Sequence, residues 1–251
     1  MASTVSAGAY LAALGPLIES VAAQHDGIAA AAELIAASVR SDGVVQAFGS
    51  GHSEALAMEI AGRAGGLVPT NRIALRDVVM FGGEPPEVLS SGTLERDPGI
   101  AARLYELAKP ASQDVFVVAS NSGVNGSIVE FARLVKEHGH PLIAITSLQH
   151  TSGVESRHPS GTKLVDHADV VLDNGAPYGD AVLDLPTGGK VCAVSSITAA
   201  LLAQLVVAEV VRGLLEAGET PPVYLSANIP GGDEHNHSLE ARYAGRIRRT
   251  A

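Results

Sequence analysis

The sequence predicts an α/β protein, a doubly wound three-layer sandwich around a mostly parallel five-stranded sheet. Three observations lead there. Short apolar runs rich in Val, Ile and Phe alternate along the chain with segments of helical periodicity, the pattern of repeated βαβ units. Two of the runs end in the same device, a small polar turn followed by a helix. Residues 44–48 feed Gly49-Ser50-Gly51-His52-Ser53, and residues 114–119 feed Ser120-Asn121-Ser122-Gly123-Val124-Asn125-Gly126. Finally, 46% of the 251 residues are hydrophobic and only 18% charged, which fits a well-buried globular core. In such sheets ligands sit beyond the carboxyl ends of the strands, where the winding reverses. A flavodoxin-like strand order makes the two turns neighbours across that crevice.

Residues 10–40 read as two alanine-rich helices broken near His25-Asp26-Gly27. This N-terminal hairpin, placed before the sheet, packs on a neighbouring subunit, covers a site, or packs on its own sheet. The first strand, 44–48, and its turn lead into a helix over 54–66, with Leu56, Ala57, Ile60, Ala61 and Ala64 on one face. A short strand follows at 67–70, and the Gly and Pro content of 81–87 marks a loop. Pro98-Gly99 opens a helix that ends at Ala108 before Lys109-Pro110. Strand 114–119, its turn and a helix through Gly139 form the second unit. Strand 141–146 comes next, then a polar loop over 147–162 with one helical turn. Residues 168–172 are the last parallel strand, and 181–185 pair at an edge. Thr187-Gly188-Gly189-Lys190 then begins a long apolar helix. The chain reads as a single domain, 1–251, with helices over 1–40 and a polar tail over 221–251 that completes the site.

The formal net charge of −10 argues against nucleic acid and anionic membrane as partners. Any anion must therefore be captured locally. One cysteine, Cys192, excludes an internal disulfide and a cysteine-rich zinc site, and a cytoplasmic location is the natural expectation. Residues 191–208 carry no formal charge and are long enough to cross a bilayer. However, they contain Ser195, Ser196, Thr198 and Gln204 and run on into Glu209 and Arg212, so we read them as a core or dimer-interface helix.

A strand feeding a Gly/Ser turn into a helix leaves backbone N–H groups pointing outward at the positive end of the helix dipole, a spot suited to an anion. The first turn is not the dinucleotide fingerprint, because Glu54 stands where a third glycine is needed. It lacks the Gly-Lys-Ser/Thr of a Walker loop and the Gly-x-Ser-x-Gly elbow of hydrolases. Around Gly123, Ser120, Asn121, Ser122 and Asn125 supply enough hydrogen-bonding groups to wrap a phosphate without an arginine. Two such turns on one sheet point to a phosphate-bearing ligand.

At these residues the chain resembles the sugar isomerase (SIS) family of phosphosugar-binding domains. That family places a Gly-x-Gly-x-Ser turn after its first strand and a Ser-x-Ser-Gly-x-Thr/Asn turn after a later one. The resemblance spans residues 44–215. It implies that Ser120, Ser122 and Asn125 hold the phosphate and that Ser50, Gly51 and Ser53 line the sugar; Asn125 stands where threonine is commoner. The DNA-binding headpiece of SIS regulators is absent from this sequence. Thr93-Leu94-Glu95-Arg96-Asp97-Pro98-Gly99 and the tail around Gly231-Gly232-Asp233-Glu234-His235-Asn236 look like stand-alone bacterial SIS proteins. Residues 81–95 are more distantly similar to N-acetylmuramic acid 6-phosphate etherases, which use glutamates there for lyase chemistry. The resemblance implies an N-acetylhexosamine 6-phosphate substrate, and N-acetylglucosamine 6-phosphate dehydratase activity is known within this subgroup.

Isomerisation and elimination of such sugars both open with removal of the C2 proton by a carboxylate. Elimination also needs a proton for the oxygen leaving C3. The candidates for these roles are Glu84, Glu95 and His235, while Glu87 reads as a solvated carboxylate. Glu95 is equally able to pair with Arg96. His52 orients the ring-opening oxygen or packs at a helix start; Lys190 reaches a sugar hydroxyl or solvates a helix end; Asn236 lies beside His235 in the tail. Neither a metal nor a cofactor is expected. The expectation is a homodimeric dehydratase of an N-acetylhexosamine 6-phosphate, with an aldose–ketose isomerase and a non-catalytic phosphosugar sensor as alternatives.

Overall fold

The computed structural model describes residues 5–248; residues 1–4 and 249–251, the outer ends of the expected helical segment and tail, lie outside them. Five parallel strands form the central sheet: β1 (Val45–Gly49), β2 (Thr70–Ile73), β3 (Val115–Ala119), β4 (Leu142–Thr146) and β5 (Val170–Asp173), in the order β2-β1-β3-β4-β5. Every residue of β1, β3 and β4 is buried, as expected of parallel strands covered on both faces. Side chains alternate between the two layers. Val115, Val117 and Ala119 of β3 face one layer, together with Ile28, Ile35 and Val39 of α2 (His25–Arg40) and Leu202, Val206 and Val210 of α8 (Ser195–Glu216). Phe116 and Val118 face the other, together with Leu104 of α5 (Ile100–Ala108) and Ile128, Phe131 and Val135 of α6 (Gly126–Glu137). Phe48 and Phe131 meet there with ring centroids 4.6 Å apart.

The helix after β1, α3 (Glu54–Ile60), packs in the first layer, while α6, after the neighbouring β3, packs in the second. The winding therefore reverses between β1 and β3. The N-terminal hairpin is α1 (Ala7–Ala22) and α2, and α1 lies across α8. By length and composition α8 is the one helix among the described residues able to cross a membrane, yet it lays Ala199, Leu202, Ala203, Val206, Val210 and Leu214 into the core beside α2.

Several local expectations are corrected. The helix after β1 ends at Ile60 rather than Gly66, because Gly62 and Gly65 adopt positive φ and end it. The strand expected at 67–70 lies at Thr70–Ile73. The preceding residues pair instead with the tail, Val68 N donating to Pro222 O and Tyr224 N to Gly66 O, at 2.8 and 2.9 Å. The run at 181–185 does not edge the main sheet. Its core, β6 (Ala181–Asp184), forms an antiparallel hairpin with β7 (Lys190–Ala193), turned by Gly188 and Gly189 at positive φ. Helix α8 consequently starts at Ser195, not Thr187, where the Asp180 carboxylate accepts from the N–H groups of Val194 and Ser195.

Around the remaining strands lie α4 (Asp77–Met80) after β2 and α7 (Leu148–Ser152) after β4. The tail is partly helical, α9 (Gly232–Glu240), with Asp233 and Glu234 in its first turn. It lies at the N-terminal end of the sheet. Tyr224 and Tyr243 pack on Val44 and Val68, which precede β1 and β2, and Arg246 pairs with the fully buried Asp114 that precedes β3.

Candidate functional site

Two turns meet at the carboxyl end of the sheet because Gly49 and Ala119 are register partners on adjacent strands. In the first turn Gly49 cannot carry a side chain, since a Cβ there would stand 2.3 Å from Ser53 O. Gly51 takes φ +56°, and residues 51–53 form one 3-10 turn before α3. Ser50 is buried, Ser53 half-buried, and His52 exposed.

The second turn is shaped by what lies behind it. Three consecutive carbonyls, of Ser122, Gly123 and Val124, accept from the Thr151 hydroxyl, Leu164 N–H and Arg157 N–H at 3.0, 2.8 and 3.0 Å. Asn121 O accepts from Ser147 N–H at 3.2 Å. With these carbonyls engaged, the polar groups the turn leaves unpaired are amides. Gly123 N–H is held by Ser120 Oγ at 3.1 Å, and those of Ser122, Val124 and Asn125 donate to no acceptor among the described residues. Successive free amides at the start of a twelve-residue helix form an anion-binding concavity.

His52, Ser53, Ser120 and Asn121 line one hollow, so the two turns open onto a shared space. The hollow is small, about 20 Å³, room for one water-sized group. Three polar residues that the sequence reading missed complete its walls: Asn174, Ser195 and Ser196. Asn174 Nδ2 donates to Asn121 Oδ1 at 3.0 Å, which fixes the Asn121 amide. Asn174 directly follows β5, so asking what stands at the end of every strand would have found it.

Of the candidate catalytic groups, the structure brings one to the crevice. A Cβ on Gly51 would lie 3.3 Å from Glu95 Oε2, so this carboxylate hangs over the first turn. Its backbone is tied to the second turn's helix, the buried Ser127 donating Oγ–H to Glu95 O at 2.7 Å. Residues 93–98 thus form a strap across both turns. Glu84 is exposed on a loop, its N–H donating to Val78 O at 3.0 Å; like Glu95 it does not line the hollow, and it has no such contact with the first turn. His235 and Asn236 lie on α9 beyond the opposite end of the strands. His235 Nε2 donates to Val223 O at 3.0 Å, and Asn236 bonds both backbone groups of Leu225. Within one chain they do not meet the turns. Lys190 stands near the hairpin tip, 3.2 Å from the Asp184 carboxylate, and does not line the hollow. Asn125 is the N-cap of α6 and accepts from Arg157. Among the described residues no three His, Cys, Asp or Glu side chains converge to hold a metal ion.

The model of the SIS domain matches residues 9–147. The chain is 44% identical over 225 residues to the UPF0309 protein lmo0025 of Listeria monocytogenes, covering 89% of this chain and 91% of that one. It is 39% identical over 237 residues to the UPF0309 protein BCAN_B0929 of Brucella canis, covering 94% and 93%. Among solved structures, a phosphoheptose isomerase from Francisella tularensis is similar with a TM-score of 0.54 at 18% identity, covering 81% of this chain and 94% of that one. A phosphoheptose isomerase from Neisseria gonorrhoeae is similar with a TM-score of 0.51, also at 18% identity, covering 81% and 93%. At such identities the structural matches speak for the fold. The family match spans more than half of the sequence and takes in both turns, and the chain belongs to the SIS domain family.

Proposed function

We propose that this protein is a cytoplasmic phosphosugar enzyme that dehydrates an N-acetylhexosamine 6-phosphate, N-acetylglucosamine 6-phosphate first among them. The phosphate sits in the second turn, on the free amides and on Ser120, Ser122 and Asn125; the sugar lies along Ser50, Gly51, His52 and Ser53. The observation that carries the reading is the position of Glu95, whose carboxylate overhangs Gly51 in the first turn while Ser127 of the second turn's helix holds its backbone. A base there reaches C2 of an open-chain sugar held by its phosphate. It takes the C2 proton, and the C–H electron pair moves into the C1 carbonyl as an enolate. That pair then returns to form the C2–C3 double bond as the C3–O bond breaks. The proton carried by Glu95 goes to the departing hydroxide, so that water is the only fragment lost.

The same reading takes the working unit as a homodimer. His235 and Asn236 sit at the far end of the sheet from their own turns, so a tail that completes a site completes the partner's. Mixing His235→Ala with Ser122→Ala chains should then restore activity that neither has alone. The decisive assay is mass spectrometry of N-acetylglucosamine 6-phosphate after incubation, with loss of eighteen mass units, one water, as the expected result. Substrate of unchanged mass that is nonetheless bound removes the lyase and leaves an isomerase or a sensor.

One observation favours aldose–ketose isomerisation as a second reading. Among the described residues Glu95 is the one candidate carboxylate placed over the first turn, and a single base is enough to move a proton between C2 and C1. Deuterium from solvent appearing at C1 or C2 without loss of water selects that reading.

A further inference from the structure

Residues 151–164 supply donors to the second turn's carbonyls, and one side chain of this segment reaches the turn's last residue, Asn125. We infer that Arg157 is a further anion-binding residue of the site, the cation that meets the ligand's phosphate. The inference rests on the phosphosugar reading above. Arg157 is pinned by its backbone, its N–H donating to Val124 O at 3.0 Å, and its Nη1 donates to Asn125 Oδ1 at 3.2 Å. A guanidinium can only donate, so it takes the oxygen of the Asn125 amide and leaves the Nδ2 hydrogens turned away from it. Asn125, the N-cap of α6, is thereby left with its Nδ2 group to donate to an anion in the turn.

The rest of the guanidinium is free for the same task. Its side-chain hydrogen bond to Asn125 is the one it makes among the described residues. Arg63, Arg133 and Arg212, by contrast, each lie on a glutamate of their own helix or turn. In a chain of net charge −10, an arginine left without a carboxylate beside the free amides of Ser122, Val124 and Asn125 marks where negative charge is wanted. The loop that carries it is rigid: Ser156 Oγ donates to Thr162 O at 2.6 Å, His158 Nε2 meets Glu130 Oε2 at 2.9 Å, and Lys163 Nζ donates to Thr151 O at 2.6 Å. A planar fork held in place suits two oxygens of a phosphate better than an ammonium does.

The test is calorimetric titration of the full chain with N-acetylglucosamine 6-phosphate, and with inorganic phosphate as a second probe, at several salt concentrations. Arg157→Gln should weaken binding about two- to fivefold, the range for an exposed ion pair, and flatten the dependence of affinity on salt. Arg157→Lys should recover part of both, and Arg212→Gln on α8 should change neither. Affinity unchanged in Arg157→Gln overturns the inference while leaving the phosphosugar reading intact. So does an equal loss in Gln and Lys variants with the salt dependence of the wild type, which marks a structural role. A wild type that binds neither probe removes the phosphosugar reading itself and the role of Arg157 with it.

Discussion

Glu95 and Gly51 face each other so closely that each constrains the other. Gly51→Ala would place a methyl 3.3 Å from Glu95 Oε2 on a residue at φ +56°. The left-handed backbone costs an alanine about 1–2 kcal/mol, and the carboxylate must shift as well. We expect the variant to bind phosphosugar but to turn over at least tenfold more slowly, measured as kcat against Kd. Glu95→Gln keeps the shape and removes the base, so kcat should fall by about 10²–10⁴-fold with Kd nearly unchanged. Glu84→Gln, exposed and away from the hollow, should leave both alone. Activity surviving in Glu95→Gln would end its assignment as the base.

Away from the site, burial holds the imidazole of His140 below its ordinary pKa, with Nδ1 donating to Asp114 O at 3.2 Å and Nε2 accepting from the Tyr105 hydroxyl at 2.8 Å. His167 is lowered for the same reason. Because the folded-state pKa is depressed, the unfolded chain takes up these protons first as pH falls. Their stabilisation is complete above the unfolded value of about 6.5 and is lost as pH drops towards the folded values. The urea midpoint should therefore decline from pH 7 to pH 5, and His140→Gln should decline less steeply.

At the scale of elements, helix α6 does two jobs at one end. Its first residues lie under the strap: a Cβ on Gly126 would stand 2.2 Å from Arg96 O, and Ser127 holds Glu95 O. Gly126→Ala must lift the strap, and with it Glu95, while the second turn can remain in place. We expect kcat to fall more than tenfold with phosphosugar affinity held within a few-fold, and faster amide exchange across 93–98. Ser127→Ala, which loses one buried hydrogen bond worth about 1 kcal/mol, should act in the same direction and more weakly. Loss of affinity and turnover in equal proportion would show instead that the strap belongs to the phosphate site.

Across the whole molecule the two ends of the sheet are specialised. The carboxyl end carries turns, free amides and the strap; the amino end is closed by the tail. Arg246 reaches back to the wholly buried Asp114, which also accepts from Val44 N–H and Gln46 Nε2 at 2.9 Å each. Removing one partner of a buried pair leaves an uncompensated charge, typically a cost of about 3–5 kcal/mol. The Arg246 side chain is 26% exposed, so solvent reduces the penalty, and we expect Arg246→Met to cost about 2 kcal/mol in urea denaturation. No loss of stability would mean that the tail rests on the sheet without supporting it.

How much of this was legible in the sequence depended on the range of the interaction. Runs such as 114–119 and the helical spacing of 100–108 are local signals, and the strands and helices they imply are present. The glycines and serines of the two turns were readable for the same reason, since a tight crossover demands small residues within a few positions. The tail helix went unassigned and the β6–β7 hairpin was misread because their apolar and polar patterns mean little until a partner segment is known. The contacts that define the site's surroundings join distant positions: Asp180 to Ser195 at the head of α8, Val68 to Pro222 in the tail, and Asn125 to Arg157 beside the second turn. The sheet, its winding and the two anion-ready turns follow from backbone preference and periodicity, and both are written in the order of the residues. Which carboxylate overhangs those turns, and which arginine stands beside them, was settled by long-range packing, which leaves no period in the chain.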